Sequence, residues 1–153
     1  VSDYHQGLCN SVVNLSEKDG EIGNLEVEAQ EMDHADPKTL GLKVTEENDS
    51  IGFWIDSNFS EKLTGFYDDC DTFIVNCVFS RNNNSRNHTT VSDVPNILEN
   101  SEASTVILKH FGKSMLEADM DEEEFWLKEQ VDQKVIFAED GMSYPGDRSL
   151  SSF

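Results

Sequence analysis

Short motifs in this 153-residue sequence approach the spacing of known chemical sites, but each lacks a residue that the chemistry needs. Gly112-Lys113-Ser114 matches the end of a phosphate-binding loop, yet Ile107 stands where the first glycine is required. The acidic run from Asp119 has the alternating oxygen ligands of a calcium loop, but Glu124 occupies the turn position that needs glycine. The sequence therefore predicts neither a nucleotide loop nor an EF-hand.

Histidine and cysteine side chains form no local ligand or redox motif. The histidines are dispersed, at His5, His34, His88 and His110. Cys70 and Cys77 are too far apart in sequence for a CxxC motif. A zinc site would have to be assembled entirely by tertiary structure, so the sequence predicts no metal ligand, no cofactor and no catalytic residue. A small enzyme remains an alternative, and it would need a buried cleft around His110 or Cys77.

Acidic residues dominate the composition. Asp and Glu number 31 against 11 Lys and Arg, a formal net charge of −20. Such a chain lacks the cations that neutralise phosphates, so we expect no nucleic-acid or anionic-membrane partner. The longest apolar-rich stretch, Phe73 to Phe79, is interrupted by Asn76 and is far too short to span a membrane.

Apolar residues are unevenly distributed along the chain. Only 37% of residues are hydrophobic, and residues 14–49 show no sustained helical or strand period, so residues 1–50 are predicted to be an acidic disordered segment. Residues 51–80 concentrate aromatic and β-branched side chains in short runs, which predicts a β-prone aromatic island of two or three strands. Residues 81–100 are predicted to be a polar linker and residues 141–153 a disordered tail.

A pair of helices is predicted within residues 101–140. Ile107, Phe111 and Met115 recur at four-residue steps and predict a first helix. A second helix is predicted to begin at a capping box formed by Asp121 and Glu124, with acidic side chains in its first turn. The predicted fold class is therefore mixed α+β and largely irregular.

The second predicted helix carries the features of a binding surface. We predict that the chain is a non-catalytic acidic regulatory or scaffold fragment that binds a partner protein through this helix. The carboxylates would steer it towards an apolar groove with a basic rim. The predicted anchor residues are Phe125, Trp126, Leu127, Val131, Val135 and Phe137, and the predicted capping and steering residues are Asp121, Glu122, Glu123 and Glu124. Alternatively, the same apolar side chains pack inside the molecule as an ordinary core.

Two compartments remain open. An odd number of cysteines, three, favours an intracellular protein of the nucleus or cytoplasm. The spacing from Leu127 to Phe137 also resembles a leucine-rich nuclear export signal. The alternative is a secreted or luminal acidic domain with a Cys70–Cys77 disulfide and N-linked glycans. Its sequons are at Asn14, Asn48, Asn58, Asn83 and Asn87.

Overall fold

A mixed β-sheet of eight strands forms the centre of the chain in the computed structural model, which describes residues 3–9, 12, 14–15, 19–35, 38–83 and 87–144. The strands are β1 (Gly20–Ile22), β2 (Leu25–Glu31), β3 (Leu40–Glu46), β4 (Asp49–Trp54), β5 (Thr72–Phe79), β6 (Thr89–Thr90), β7 (Thr105–Lys109) and β8 (Lys134–Phe137). Their order is β1-β2-β3-β4-β5-β7-β8, and β6 pairs with β5. The pairs from β1 to β4 are antiparallel, and those from β4 to β8 are parallel.

The antiparallel half of the sheet is built from strands that alternate in polarity. In β2, Leu25, Val27 and Ala29 alternate with glutamate and glutamine side chains, the two-residue period of a strand with unlike faces. The two-residue turns after β1 and β3 place Gly23 and Glu47 at positive φ, as such hairpins often require. Strands β1 to β4 cover most of the described residues between Gly20 and Trp54, so the prediction of a disordered segment over residues 1–50 is wrong for these strands.

The parallel half is built from continuous apolar runs. Val106, Ile107 and Leu108 in β7 are all buried, Val106 and Leu108 on one face of the sheet and Ile107 on the other, and β7 pairs with β5 and β8. A strand with buried side chains on both faces has an unbroken apolar sequence rather than an alternating one. The first predicted helix is therefore wrong, since its Ile107 lies in β7 and its Met115 in a separate short helix.

The helices are short. They are α1 (Asp3–Gln6), α2 (Glu61–Thr64), α3 (Val94–Ile97), α4 (Lys113–Leu116) and α5 (Met120–Lys128). The second predicted helix exists as α5, but it ends at Lys128, and Val135 and Phe137 belong to β8. Its N-cap is Asp119, whose carboxylate accepts a hydrogen bond from the Glu122 amide at 3.1 Å, rather than Asp121. No helix in the part of the chain that the structure describes combines the length and apolarity needed to cross a membrane.

One face of the sheet carries the hydrophobic core. Trp54, Phe73, Val75 and Leu108 share this face by register and are completely buried. Helical residues cover them, among them Leu127 of α5. Residues 81–100, predicted to be a linker, contain β6, a 3₁₀ turn and α3.

The second face of the sheet is also apolar but lies outside this core. Its register partners include Leu42, Phe53, Ile74, Ile107 and Ile136. None of these five belongs to the core cluster or packs against it. The predicted class, largely irregular α+β ending in paired helices, is thus wrong. The described part of the chain is an extended mixed sheet, and its main hydrophobic core lies on one face.

Candidate functional site

Two titratable side chains meet at the carboxyl edge of the parallel strands. Asp56 lies two residues after the end of β4, and His110 directly follows β7. Because β4, β5 and β7 are parallel neighbours, their carboxyl ends meet at one edge, the usual position of ligand sites in such sheets. The Nδ1 atom of His110 lies 3.1 Å from Oδ1 of Asp56.

Two further polar side chains face the same carboxylate. Nδ1 of His88 lies 3.9 Å from Oδ1 of Asp56, and the side-chain amide of Asn76 donates to that oxygen at 3.1 Å. Nδ1 of His88 and Oδ1 of Asn76 are buried without a hydrogen-bond partner in the described part of the chain. The His34 ring lies 5.1 Å from the His88 ring, centroid to centroid. His88 and His110 therefore face Asp56, and His34 lies beside His88.

Hydrogen bonds from the core hold the loops that carry this group. The buried Trp54 indole donates to Oγ1 of Thr89 at 3.0 Å, and that hydroxyl donates to the Ser57 carbonyl at 2.9 Å. The backbone carbonyl of Asp33, next to His34, accepts a hydrogen bond from the backbone amide of Asn58 at 3.0 Å. The loop after β4 and the segment around His88 are thus fixed to each other by groups withdrawn from water.

The backbone at the site is strained. Asp56 has φ of 28° and His110 has φ of 65°, values that non-glycine residues adopt only at a cost. Neither residue lies in a two-residue turn between paired strands, where Glu47 adopts such an angle. Backbone strain of this kind is concentrated at functional sites, where the surrounding structure maintains it.

The donor atoms suit a divalent metal ion. Imidazole and carboxylate are the ligands of catalytic zinc sites, which use three protein ligands and keep one position open. Asp56 and His110 supply two such groups, and the buried unpaired nitrogen of His88 lies next to them. Among the described residues, however, no group of three or more His, Cys, Asp or Glu is placed to hold a metal ion. The set fits a metal in kind and is incomplete in number.

A groove of about 720 Å³ opens beside His110. Aromatic side chains of Phe111 and Phe137 line it, and their rings lie 5.4 Å apart. Carboxylates of Asp121 and Glu124 also face it. The groove gives a small molecule access to the imidazole of His110 from the side of α5 and β8.

The residues predicted to anchor a partner do not form one exposed surface. Leu127 is fully buried and Val135 is 5% exposed, whereas Phe125 is 66% exposed. Trp126, Val131 and Phe137 are partly buried against the core. Leu127 and Val135 thus pack inside the molecule, as the alternative interpretation expected. Contact of the other four residues with a partner stays a prediction.

The predicted steering carboxylates mostly have partners within the chain. Glu122 and Glu123 both pair with Arg81, and the buried Glu123 accepts from the Arg81 backbone amide at 3.0 Å. Glu124 pairs with Lys128 at 2.8 Å. The guanidinium of Arg81 also lies 5.8 Å from the Trp126 ring centroid, so these side chains join the loop after β5 to α5.

The alternative disulfide is also wrong. Cys70 and Cys77 are both buried free thiols, and Cys9 is an exposed free thiol. The secreted or luminal alternative therefore loses its predicted cross-link, while its glycans, the predicted compartment and the predicted partner stay predictions.

The sequence was compared with protein families and with curated proteins. No protein-family model matches the chain. An uncharacterized protein of Methanocaldococcus jannaschii is 25% identical over 145 residues, and the match covers 93% of this chain and 54% of that protein. The chain thus spans about half the length of the curated relative that it matches.

Several solved structures resemble the chain in backbone fold although their sequence identity to it is low. YhfI of Bacillus subtilis, a metallo-β-lactamase fold protein, superposes with a TM-score of 0.74 at 16% identity, over 82% of this chain and 50% of its own. An isothiocyanate hydrolase from Delia radicum gut bacteria gives 0.68 at 14% identity, over 92% of this chain and 62% of its own. A diphosphatase of the PhnP family gives 0.60 at 14% identity, over 82% and 44%.

The chain has the metallo-β-lactamase fold. Two of these three matches are to a hydrolase and a diphosphatase, and they contradict the prediction of a non-catalytic regulatory or scaffold fragment that is not an enzyme. The eight-stranded sheet of the described residues likewise contradicts the description of the chain as intrinsically disordered.

Sequence reasoning missed Asp56, His88, Asn76 and His110 as a group. Asp56 and His110 lie far apart in sequence, so no short motif joins them. One signal was available: each follows a run of apolar residues, IGFW or TVIL, that can be read as a buried strand. Two such strands, if parallel, bring the residues after them to one edge.

Proposed function

We propose that the chain forms part of the active site of a metal-dependent hydrolase, in which Asp56 and His110 bind a divalent metal ion. The observation that carries the proposal is the pairing of these two side chains at the carboxyl edge of a metallo-β-lactamase-fold sheet. A metal ion held by such ligands supplies Lewis-acid catalysis of hydrolysis. The matched proteins include a diphosphatase and an isothiocyanate hydrolase, so the proposal names the reaction class rather than the substrate.

The roles of the chain's own residues follow from their positions. Asp56 and His110 would bind the metal ion from the segments that follow β4 and β7, on either side of β5, and the Trp54–Thr89 hydrogen bond fixes the end of β4 to β6. The substrate approaches through the groove beside His110, where the Phe111 ring offers an apolar contact and excludes water.

We further propose that the remaining ligands come from additional polypeptide. Two observations support this. The matched relative is nearly twice as long as the aligned region. The second face, with the half-buried Phe53 and Ile74, is apolar and lies outside the main core cluster. Asn76 shares this face with Ile74 and donates to Asp56, so a segment packed against this end of β5 would lie near the proposed ligands.

Metal titration of the chain tests the proposal. We expect Co²⁺, followed by paramagnetic broadening of backbone amide signals, to broaden signals near Asp56 and His110 first. Asp56→Asn and His110→Gln should each weaken Co²⁺ binding by more than the roughly 10–100-fold typical of outer-shell changes. His5→Gln, which alters an exposed histidine in α1, serves as the matched control. Equal Co²⁺ affinity in the wild-type chain and both site variants would reject the proposal.

A further inference from the structure

Asn76 is a buried polar residue in a largely apolar strand. It lies in β5 on the second face of the sheet, and 4% of it is exposed. Ile74 lies two residues earlier on the same face, with Ile107 as its register partner in β7. Asparagine is depleted in strands, and a buried amide must find partners to offset its lost hydration.

The amide of Asn76 is only half satisfied. Its nitrogen donates to Oδ1 of Asp56 at 3.1 Å, while its oxygen is buried without a partner in the described residues. An aliphatic side chain here would avoid that penalty. Asn76 therefore lowers the stability of the fold from the middle of a strand, and residues that do so are typical of functional positions.

The hydrogen bond from Asn76 acts on the carboxylate of Asp56. Oδ1 of Asp56 is the atom that faces Nδ1 of His110 at 3.1 Å, and the Asp56 backbone lies in the loop after β4 at a strained φ of 28°. A donor from a rigid central strand fixes the carboxylate at that atom, because β5 is paired on both sides. Outer-shell hydrogen bonds of this kind orient the carboxylates that bind metal ions.

We infer that Asn76 is a positioning residue, which holds the Asp56 carboxylate in the orientation that binds the metal ion. The inference rests on the proposed function, since it assigns Asn76 a role through Asp56. It also predicts that the unpaired Asn76 oxygen accepts a hydrogen bond once the site is complete.

The hydrogen bond itself is tested without metal. In ¹H–¹⁵N spectra of the wild-type chain, one side-chain amide proton of Asn76 should be shifted downfield and exchange slowly. Asp56→Asn should remove that shift, because it replaces the carboxyl group that accepts the hydrogen bond by a carboxamide. An Asn76 amide that is unshifted, or that is unchanged by Asp56→Asn, would overturn the inference whatever the metal does.

The functional role is tested by Co²⁺ titration of Asn76→Leu, a variant of similar shape. We expect about 10–100-fold weaker Co²⁺ binding and an altered Co²⁺ absorption spectrum. Ile74→Ala, on the same strand and face, should lose stability but keep the wild-type affinity and spectrum. Should Asn76→Leu fail to fold, Asn76→Thr replaces it, and the metal-free amide measurement still decides.

The outcomes separate the two claims. If Asp56→Asn weakens Co²⁺ binding and the Asn76 variant binds like the wild type, the positioning role is wrong and the proposed function stands. If Asp56→Asn has no effect on Co²⁺ binding, the proposed function fails and the inference fails with it.

Discussion

Leu127 and Phe125 lie two residues apart in α5 and are predicted to differ sharply in their contribution to stability. Leu127 is fully buried, whereas Phe125 is 66% exposed. Truncation of a buried leucine to alanine costs about 2–5 kcal/mol in lost transfer energy and cavity formation. For a chain of this size, each kcal/mol lowers Tm by about 2–4 °C, so a loss of about 3 kcal/mol lowers it by about 6–12 °C. Phe125→Ala should stay within about 0.5 kcal/mol of the wild type, or roughly 2 °C.

The assay is thermal unfolding followed by far-ultraviolet circular dichroism, with guanidinium unfolding followed by fluorescence of the two tryptophans, the buried Trp54 and Trp126 of α5. Both probes should report one transition, and the denaturant slope should be unchanged if each variant keeps the same native surface. Equal losses for Leu127→Ala and Phe125→Ala would refute the packing of α5 onto the sheet. A larger loss for Phe125→Ala would mean that the helix presents its other face to the core.

Two further predictions concern packing and thiol reactivity. Gly52→Ala should cost about 1–3 kcal/mol in urea unfolding, because a Cβ there would lie 2.8 Å from a tyrosine ring carbon. Gly65→Ala, with 3.8 Å to its nearest neighbour, should be neutral or stabilising, and equal stability of the two variants would contradict this. Burial raises the pKa of the Cys70 thiol to about 12 and also raises the pKa of Cys77. Iodoacetamide at pH 8 should therefore label Cys9 first by mass spectrometry, and equal labelling rates for all three would refute the buried positions.

Local chemistry was readable from the sequence where one element decides it. The acidic first turn correctly indicated a helix near α5, although its N-cap is Asp119 and the end of the predicted apolar stripe, Val135 and Phe137, lies in β8. The aromatic run that ends at Phe79 correctly indicated a strand, β5. In β2, the alternation of Leu25, Val27 and Ala29 with acidic side chains was present but was obscured by the high net charge.

Where packing decides the structure, the sequence was misleading. The spacing of Ile107, Phe111 and Met115 fits a helix as well as a strand, a loop and a short helix, because a short apolar run does not carry its own period. The register of β7 between β5 and β8 resolves this ambiguity, and it depends on residues far away in sequence. The candidate site is of the same kind, since Asp56 and His110 come together only through the parallel order of β4, β5 and β7.

Two incomplete features of the molecule coincide in space. The candidate site offers two facing ligands, fewer than the three protein ligands of a catalytic zinc site. The second face carries Phe53, Ile74 and Ile107, which lie outside the main core cluster; Ile107 is 7% exposed and the other two are half-buried. Asn76 lies on the same face and donates to Asp56. If further polypeptide supplies the missing ligands, as proposed above, burial of the remaining exposed part of this face would drive its association, and its ligands would have to reach the end of β5, where Asn76 contacts Asp56.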